Sequence, residues 1–201
     1  MLFNLPSGDW GAGERGIACH RDRVDEFREG VLRAIEYASA LGNKQINCLA
    51  GIVPKDAQPD HVHETLVANL VFAAEKLKSA GIRLIVEPIN TFDIPGFALS
   101  TSQQTIDIIS ETGADIGLQY DIYHMQRMEG ELANTLKRLM PRIAHVQIAD
   151  TPGRNEPGTG EINYPFLFRH LDELGYSGWI GCEYKPLNET RIGLGWMTRL
   201  L

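Results

Sequence analysis

Arg83-Leu84-Ile85-Val86-Glu87, followed at once by Pro88-Ile89-Asn90, sets a short apolar run directly before a carboxylate and a turn. The arrangement recurs along the chain. Ile116 to Asp121, Ile143 to Ile148 and Trp179 to Tyr184 are apolar runs that close on Asp121, Gln147 and Glu183. From Glu87 onward these four polar residues follow one another at intervals of 34, 26 and 36 residues. One strand, one helix and their turns take roughly 30 residues or a little more. In a parallel sheet all strands point the same way, so groups at successive strand C-termini gather at one face. Three carboxylates and an amide at that face make an oxygen-rich site of the kind that holds a hard divalent cation.

The remaining elements follow from this frame. Leu2 to Leu5 and Gln45 to Ala50 read as two further strands, which with Arg83 to Glu87 and the three later runs makes six. They are short, apolar and mostly without clean alternation, as in strands covered on both faces. Phe27, Val31, Ala34, Ile35 and Ala38 stripe a helix that stops near Gly42, and Leu66, Leu70, Ala73, Ala74 and Leu77 stripe one that stops near Gly81. Ser102 to Thr112, Glu131 to Met140 and Tyr164 to Leu174 supply three more helices. Strict alternation of strands and helices predicts a parallel α/β sheet. The long irregular stretches, Pro6 to Arg21, Gly51 to Pro59, Pro88 to Thr101, Ile122 to Gly130 and Asp150 to Asn163, all follow strands, while helix-to-strand connections are tight. Loop elaboration on the strand C-terminal side is where an α/β enzyme builds its site.

With 201 residues, 43% of them hydrophobic, the chain can bury one sizeable core, and residues 1–201 read as a single domain. A formal net charge of -7 and scattered basic residues argue against a nucleic-acid or acidic-membrane partner. No apolar run reaches the roughly 18 residues of a bilayer span. The start, Met-Leu-Phe-Asn-Leu-Pro, lacks a basic segment before a long apolar stretch, so a cytoplasmic location is expected. Cys19, Cys48 and Cys182 are odd in number and widely spaced, and read as small buried hydrophobes. No Gly-x-Gly-x-x-Gly follows a strand, which disfavours a nucleotide cofactor.

Among the site candidates Gln147 is the least distinctive, and His145 and Asp150 stand as alternatives to it. His145 and Gln147 share a face of their strand by alternation, and Gln147 is nearer its end. Oxygen donors without thiolates or several imidazoles suit Mg²⁺ or Mn²⁺. Such an ion polarises a carbonyl, while paired glutamates remove and return a proton, which is the equipment for moving a carbonyl between adjacent carbons. Arg154 and Lys185 are placed to hold the carboxylate of a small hydroxy- or oxo-acid, with a surface or loop-locking ion pair as the alternative for each. His124, three residues after Asp121, is placed to hydrogen-bond a substrate oxygen or to pack its loop. Glu156 reads as ordering its own loop, and Trp10, Trp179 and Trp196 as core or rim packing.

Five stretches then carry a resemblance. They are Gly8 to Gly16 (GDWGAGERG), Glu87-Pro88-Ile89-Asn90 with Phe92 to Phe97, Gln119 to Gln126 (QYDIYHMQ), Glu156 to Tyr164, and Gly181-Cys182-Glu183-Tyr184-Lys185-Pro186. Together they resemble the hydroxypyruvate isomerase family, within the xylose-isomerase-like barrels. The resemblance covers essentially the whole chain and implies a TIM (β/α)₈ barrel that interconverts hydroxypyruvate and 2-hydroxy-3-oxopropanoate. It implies that Glu87 and Glu183 are the paired proton donor and acceptor, and that Glu87, Asp121, Gln147 and Glu183 are the metal shell. The 2-oxo-tetronate isomerases share much of this pattern, so reaction type is more firmly implied than substrate length.

An eight-unit barrel takes about 250 residues. Here six strands are read and the chain opens on what resembles the family's third, so the first two βα units are expected to be absent, as in a fragment. Such a sheet exposes two edges, which invites pairing between chains and makes a homo-oligomer a candidate assembly. A binding or assembly protein descended from the enzyme is one alternative. Metal-dependent phosphodiester hydrolysis is another, disfavoured by only six histidines and the negative charge.

Overall fold

The computed structural model of the protein describes residues 2–200. Five strands form one sheet in the order in which they occur in the chain: β1 (Gln45–Cys48), β2 (Arg83–Val86), β3 (Ile116–Asp121), β4 (Ile143–Ile148) and β5 (Ile180–Cys182). The pairs β1–β2, β2–β3 and β4–β5 are parallel. A sheet that winds in chain order, each strand followed by a helix, is the winding of a barrel, not of a doubly wound open sheet whose order reverses. By contacts the chain falls into two compact units, Met1–Gln119 and Tyr120–Leu201.

In the first unit, helices α1 (Val24–Leu41), α2 (Pro59–Ser79) and α3 (Ser102–Glu111) accompany β1, β2 and the start of β3. The stripe read from sequence is the buried face of α1, with Phe27, Val31, Ala34 and Ala38 inside. On α2 Leu66, Leu70, Ala73, Ala74 and Leu77 are buried in the same way. Spacings of three and four put these residues on one side of a 3.6-residue turn, and they pack with Ile46, Leu84 and Val86 in one apolar cluster. Gly42, at φ 68°, ends α1 in the left-handed conformation usual for a glycine after a helix. Helix α3 begins with a reciprocal box. The Thr101 hydroxyl accepts from Gln104 N, and the Gln104 side chain accepts from Thr101 N.

The second unit holds α4 (Ile122–Met128), α5 (Leu132–Leu139), β4, α6 (Tyr164–Glu173), β5, and two short helices, α7 (Thr190–Gly193) and α8 (Trp196–Leu200). Its buried residues include Tyr123, Leu136, Val146, Ile148, Tyr164, Leu167, Leu171 and Trp196. The Tyr176 hydroxyl joins the feet of β4 and β5, accepting from Val146 N (3.1 Å) and donating to Trp179 O (2.9 Å). Burial pushes that phenol up to about 12.

Four sequence readings change. Leu2 to Leu5 is not a strand but an isolated parallel bridge from Asn4 to Asn47, with Leu5 N donating to Asn47 O at 2.7 Å. Two ladder bonds are too few to make an element. Trp179 to Tyr184 shrinks to the three residues of β5, because β5 is the last strand of the sheet. Trp179 is 86% exposed and Cys182 is exposed, so neither is core. Ile122 to Gly130 is mostly helix α4, not irregular loop, for a reason that belongs to Asp121. Among the described residues no helix is long and apolar enough to cross a membrane.

Candidate active site

The first unit contributes Glu87. It stands one residue beyond β2 and is buried. In the register of β1 on β2, Asn47 lies opposite Ile85, and alternation puts Glu87 on the same face as Ile85. Asn47 Nδ2 donates to Glu87 Oε2 at 3.1 Å and to Asn4 Oδ1 at 3.0 Å, so an amide on the neighbouring strand fixes the carboxylate. The loop after Glu87 is closed by Ile89 N donating to Leu99 O (2.9 Å) and Asp93 N to Asn90 Oδ1 (2.8 Å). Asn47 was not singled out from sequence. Its only signal is an amide inside the apolar run Ile46-Asn47-Cys48.

The second unit builds a polar chain of its own. Asp121 ends β3 and is the N-cap of α4, its Oδ1 accepting from Tyr123 N (2.8 Å) and His124 N (3.3 Å). An aspartate there satisfies the unpaired amides of the first turn and complements their partial positive charge, which is why Ile122 begins a helix. The turn brings the His124 ring back over the cap, with Nε2 3.7 Å from Asp121 Oδ2 and both side chains almost fully buried. Arg154 NH2 lies 3.5 Å from the same ring nitrogen, and the guanidinium continues to Glu183 Oε2 at 3.4 Å. The Arg154 guanidinium carbon lies 5.2 Å from the centre of the Tyr123 ring. Asp121, His124, Arg154 and Glu183, predicted separately, are thus consecutive neighbours.

Partial desolvation raises the Glu183 carboxyl above its ordinary range. Arg154 opposes the shift, the Asp121 carboxylate adds to it, and His124 opposes it. The side chain keeps 56% of its surface exposed, so the shift speaks to reactivity more than to stability. A carboxyl shifted in that direction beside an arginine suits general acid–base work. Glu183 N donates to Ile148 O at 3.2 Å, which carries the β4–β5 ladder one step past β5.

Gln147 and His145 share a face of β4, as alternation requires. Opposite Gln147 sits Gly181, and a Cβ there would come within 2.9 Å of His145 Nε2 and 3.2 Å of Gln147 Cγ. The glycine therefore leaves the room these two side chains occupy. Burial holds the His145 imidazole below the usual histidine range. Both oxygens of Asp150 are committed to loop amides. Lys185 is exposed, and among the described residues its main chain, not its ammonium, makes the contacts: N donates to Arg154 O, and O accepts from Asn155 Nδ2, both at 2.8 Å. Glu156 reaches beyond its own loop, its Oε2 accepting from Leu187 N at 2.9 Å. Trp10 is exposed, whereas Trp196 is buried, stacked on Phe168 and donating to the Tyr184 hydroxyl.

The donor chemistry fits a divalent cation. Asp121 and His124 set a carboxylate oxygen and a ring nitrogen 3.7 Å apart, too far for a hydrogen bond and suited to sharing an ion.

A family described as xylose isomerase-like TIM barrel matches residues 2–200. Hydroxypyruvate isomerase from Escherichia coli (strain K12) is 56% identical over 197 residues, which is 98% of this chain and 76% of that protein. A 2-oxo-tetronate isomerase from Cupriavidus necator is 47% identical over the same shares of the two chains. Among solved structures, one described as AP endonuclease, family 2, from Brucella melitensis superposes with a TM-score of 0.95 at 40% identity. It covers 99% of this chain, which spans 77% of its length.

Proposed function

The chain belongs to the xylose isomerase-like TIM barrel family, and on that premise we propose that it is an isomerase interconverting hydroxypyruvate and 2-hydroxy-3-oxopropanoate (tartronate semialdehyde). The observation that carries the proposal is the 56% identity to the Escherichia coli hydroxypyruvate isomerase through 98% of the chain. Residues 1–201 are taken as one barrel-type domain, cytoplasmic, acting on a small molecule, with no nucleic-acid or membrane partner; self-association is open to the free edge of β5.

Glu87, Asp121, Gln147 and Glu183 are assigned to hold a divalent ion, Mg²⁺ or Mn²⁺, with His124 beside them as a further donor. The donor chemistry of each unit supports this: Glu87 is a buried carboxylate at the end of β2, and Asp121 and His124 are a buried carboxylate and imidazole 3.7 Å apart. When bound, the ion supplies polarisation of the substrate carbonyl. Arg154 and Lys185 hold the substrate carboxylate, and His124 is in reach of a substrate oxygen. One of Glu87 and Glu183 takes a proton from C3 of hydroxypyruvate, leaving an enediolate, and the other delivers a proton to C2. The hydroxyl proton passes from the C3 oxygen to the C2 oxygen, so the carbonyl moves by one carbon with no net change in atoms or electrons.

Turnover of hydroxypyruvate with Mg²⁺ or Mn²⁺, and its loss on chelation, is the expected result. Glu87→Gln and Glu183→Gln are each expected to lower kcat by roughly 10²- to 10⁴-fold. A wild-type rate in either variant would sink the two-glutamate mechanism. The 47% identity to a 2-oxo-tetronate isomerase favours a second substrate of one more carbon. A higher kcat/KM on 2-oxo-tetronate than on hydroxypyruvate would reassign the chain to that reaction. No turnover of either acid would favour the binding-protein reading.

A further inference from the structure

The loop from β4 to α6 is built around one carboxylate. Asp150 is 1% exposed, and its two oxygens accept four main-chain N–H groups. Oδ1 accepts from Thr151 (2.9 Å) and Ile162 (3.1 Å), Oδ2 from Gly158 (2.8 Å) and Gly160 (3.0 Å). Four donors fill the acceptor sites of an ionised carboxylate, which leaves it an anchor and not a reactant. Gly160 fits the wrap because a Cβ there would run into the Thr151 carbonyl oxygen.

The anchor is connected to the site. Asp150 N donates to Asn155 O (2.8 Å), closing a small antiparallel bridge. Asn155 Nδ2 donates to Lys185 O (2.8 Å), and Lys185 N donates to Arg154 O (2.8 Å). Arg154 sits inside this ring of bonds at φ 54°, a left-handed conformation that is strained for a non-glycine residue and persists where surrounding bonds impose it. That backbone sends the guanidinium to Glu183 and His124.

We propose that Asp150 is a positioning residue for the substrate-carboxylate arm: by gathering four amides of its loop it holds Arg154 in the one backbone conformation that presents its guanidinium beside Glu183. The inference rests on the isomerase reading for what Arg154 binds, but not for how the loop is held.

The test compares wild type, Asp150→Asn, Arg154→Met and the double variant with hydroxypyruvate, and follows amide hydrogen exchange in the loop. Arg154→Met is expected to raise KM by roughly 10- to 100-fold, the loss of a charge-assisted pair. Asp150→Asn, which turns an amide donor toward two of the four N–H groups, is expected to raise KM roughly 10-fold with a smaller change in kcat. The double variant is expected to stay within about threefold of Arg154→Met, since nothing remains to position. Effects that multiply, or a fall in kcat at unchanged KM, would overturn the proposal. Exchange at Gly158, Gly160 and Ile162 is expected to quicken in Asp150→Asn while β4 stays protected, and unchanged exchange would overturn it as well. Should the wild type leave hydroxypyruvate untouched, the isomerase reading fails alone and the exchange result still decides on Asp150. If Asp150→Asn does not fold, Asn155→Ala cuts the tie to Lys185 and is expected to show the same KM rise and the same non-additivity with Arg154→Met.

Discussion

Cys19, Cys48 and Cys182 look alike as residue types, yet their sulfurs meet different surroundings. Cys19 and Cys48 are buried with about 1% or less of their surface exposed, and burial pushes the Cys19 thiol up to about 11 and that of Cys48 higher still. Cys182 lies exposed at the end of β5. At pH 8 a thiol reagent is therefore expected to label one cysteine per folded chain quickly, and all three only in denaturant; fast labelling of two or more would contradict the packing. The Cys19 shift also sets a pH dependence. Unfolded, the thiol loses its proton near the ordinary cysteine value of 9.0; folded, it keeps it up to about 11. Between those values the unfolded state binds fewer protons, so stability falls as pH rises, and urea midpoints should drop from pH 9 to 11. Cys19→Ala should flatten that slope. From sequence all three cysteines read as core, because Ile180-Gly181-Cys182 is as apolar as Ile46-Asn47-Cys48, and nothing local tells an end strand from a covered one.

Elements were legible where their signal is local. The stripes of α1 and α2, the glycine that ends α1, and the runs that become β2, β3 and β4 depend on residues within a few positions of one another. The box at the start of α3 is of the same kind, and Thr101→Ala is expected to cost about 1 kcal/mol, measured as a lower urea midpoint at unchanged m. A midpoint equal to wild type would mean that the box adds nothing. Helix α4 was missed because Asp121 was read only as a candidate ligand, although an aspartate before Ile122-Tyr123-His124 is also a helix cap. The two roles are compatible: one oxygen caps and the other faces His124. Leu2 to Leu5 and Trp179 to Tyr184 fell short as strands because strand length is set by what lies alongside, which an apolar run does not encode.

For the whole molecule, a site that binds a cation only when folded links metal to stability. Mg²⁺ or Mn²⁺ at about a hundred times its dissociation constant should stabilise the wild type by roughly 2.7 kcal/mol, seen as a higher Tm that chelation reverses. Glu87→Gln and Asp121→Asn should lose that shift, and an undiminished shift in both would remove them from the ligand set. The sequence by itself determined the parallel α/β class, the side on which loops are long, and the residues at the strand ends, since periodicity and spacing are properties of neighbouring positions. It also carried the family, through motifs spread along the chain. Tertiary structure alone decided that four loop amides gather on Asp150, that Asn47 orients Glu87, that the main chain of Lys185 ties to Arg154 and Asn155, and that Arg154 meets Glu183. Most of those contacts end on main-chain N–H and C=O groups, which every residue but proline carries alike, so no pattern of side chains could have marked them.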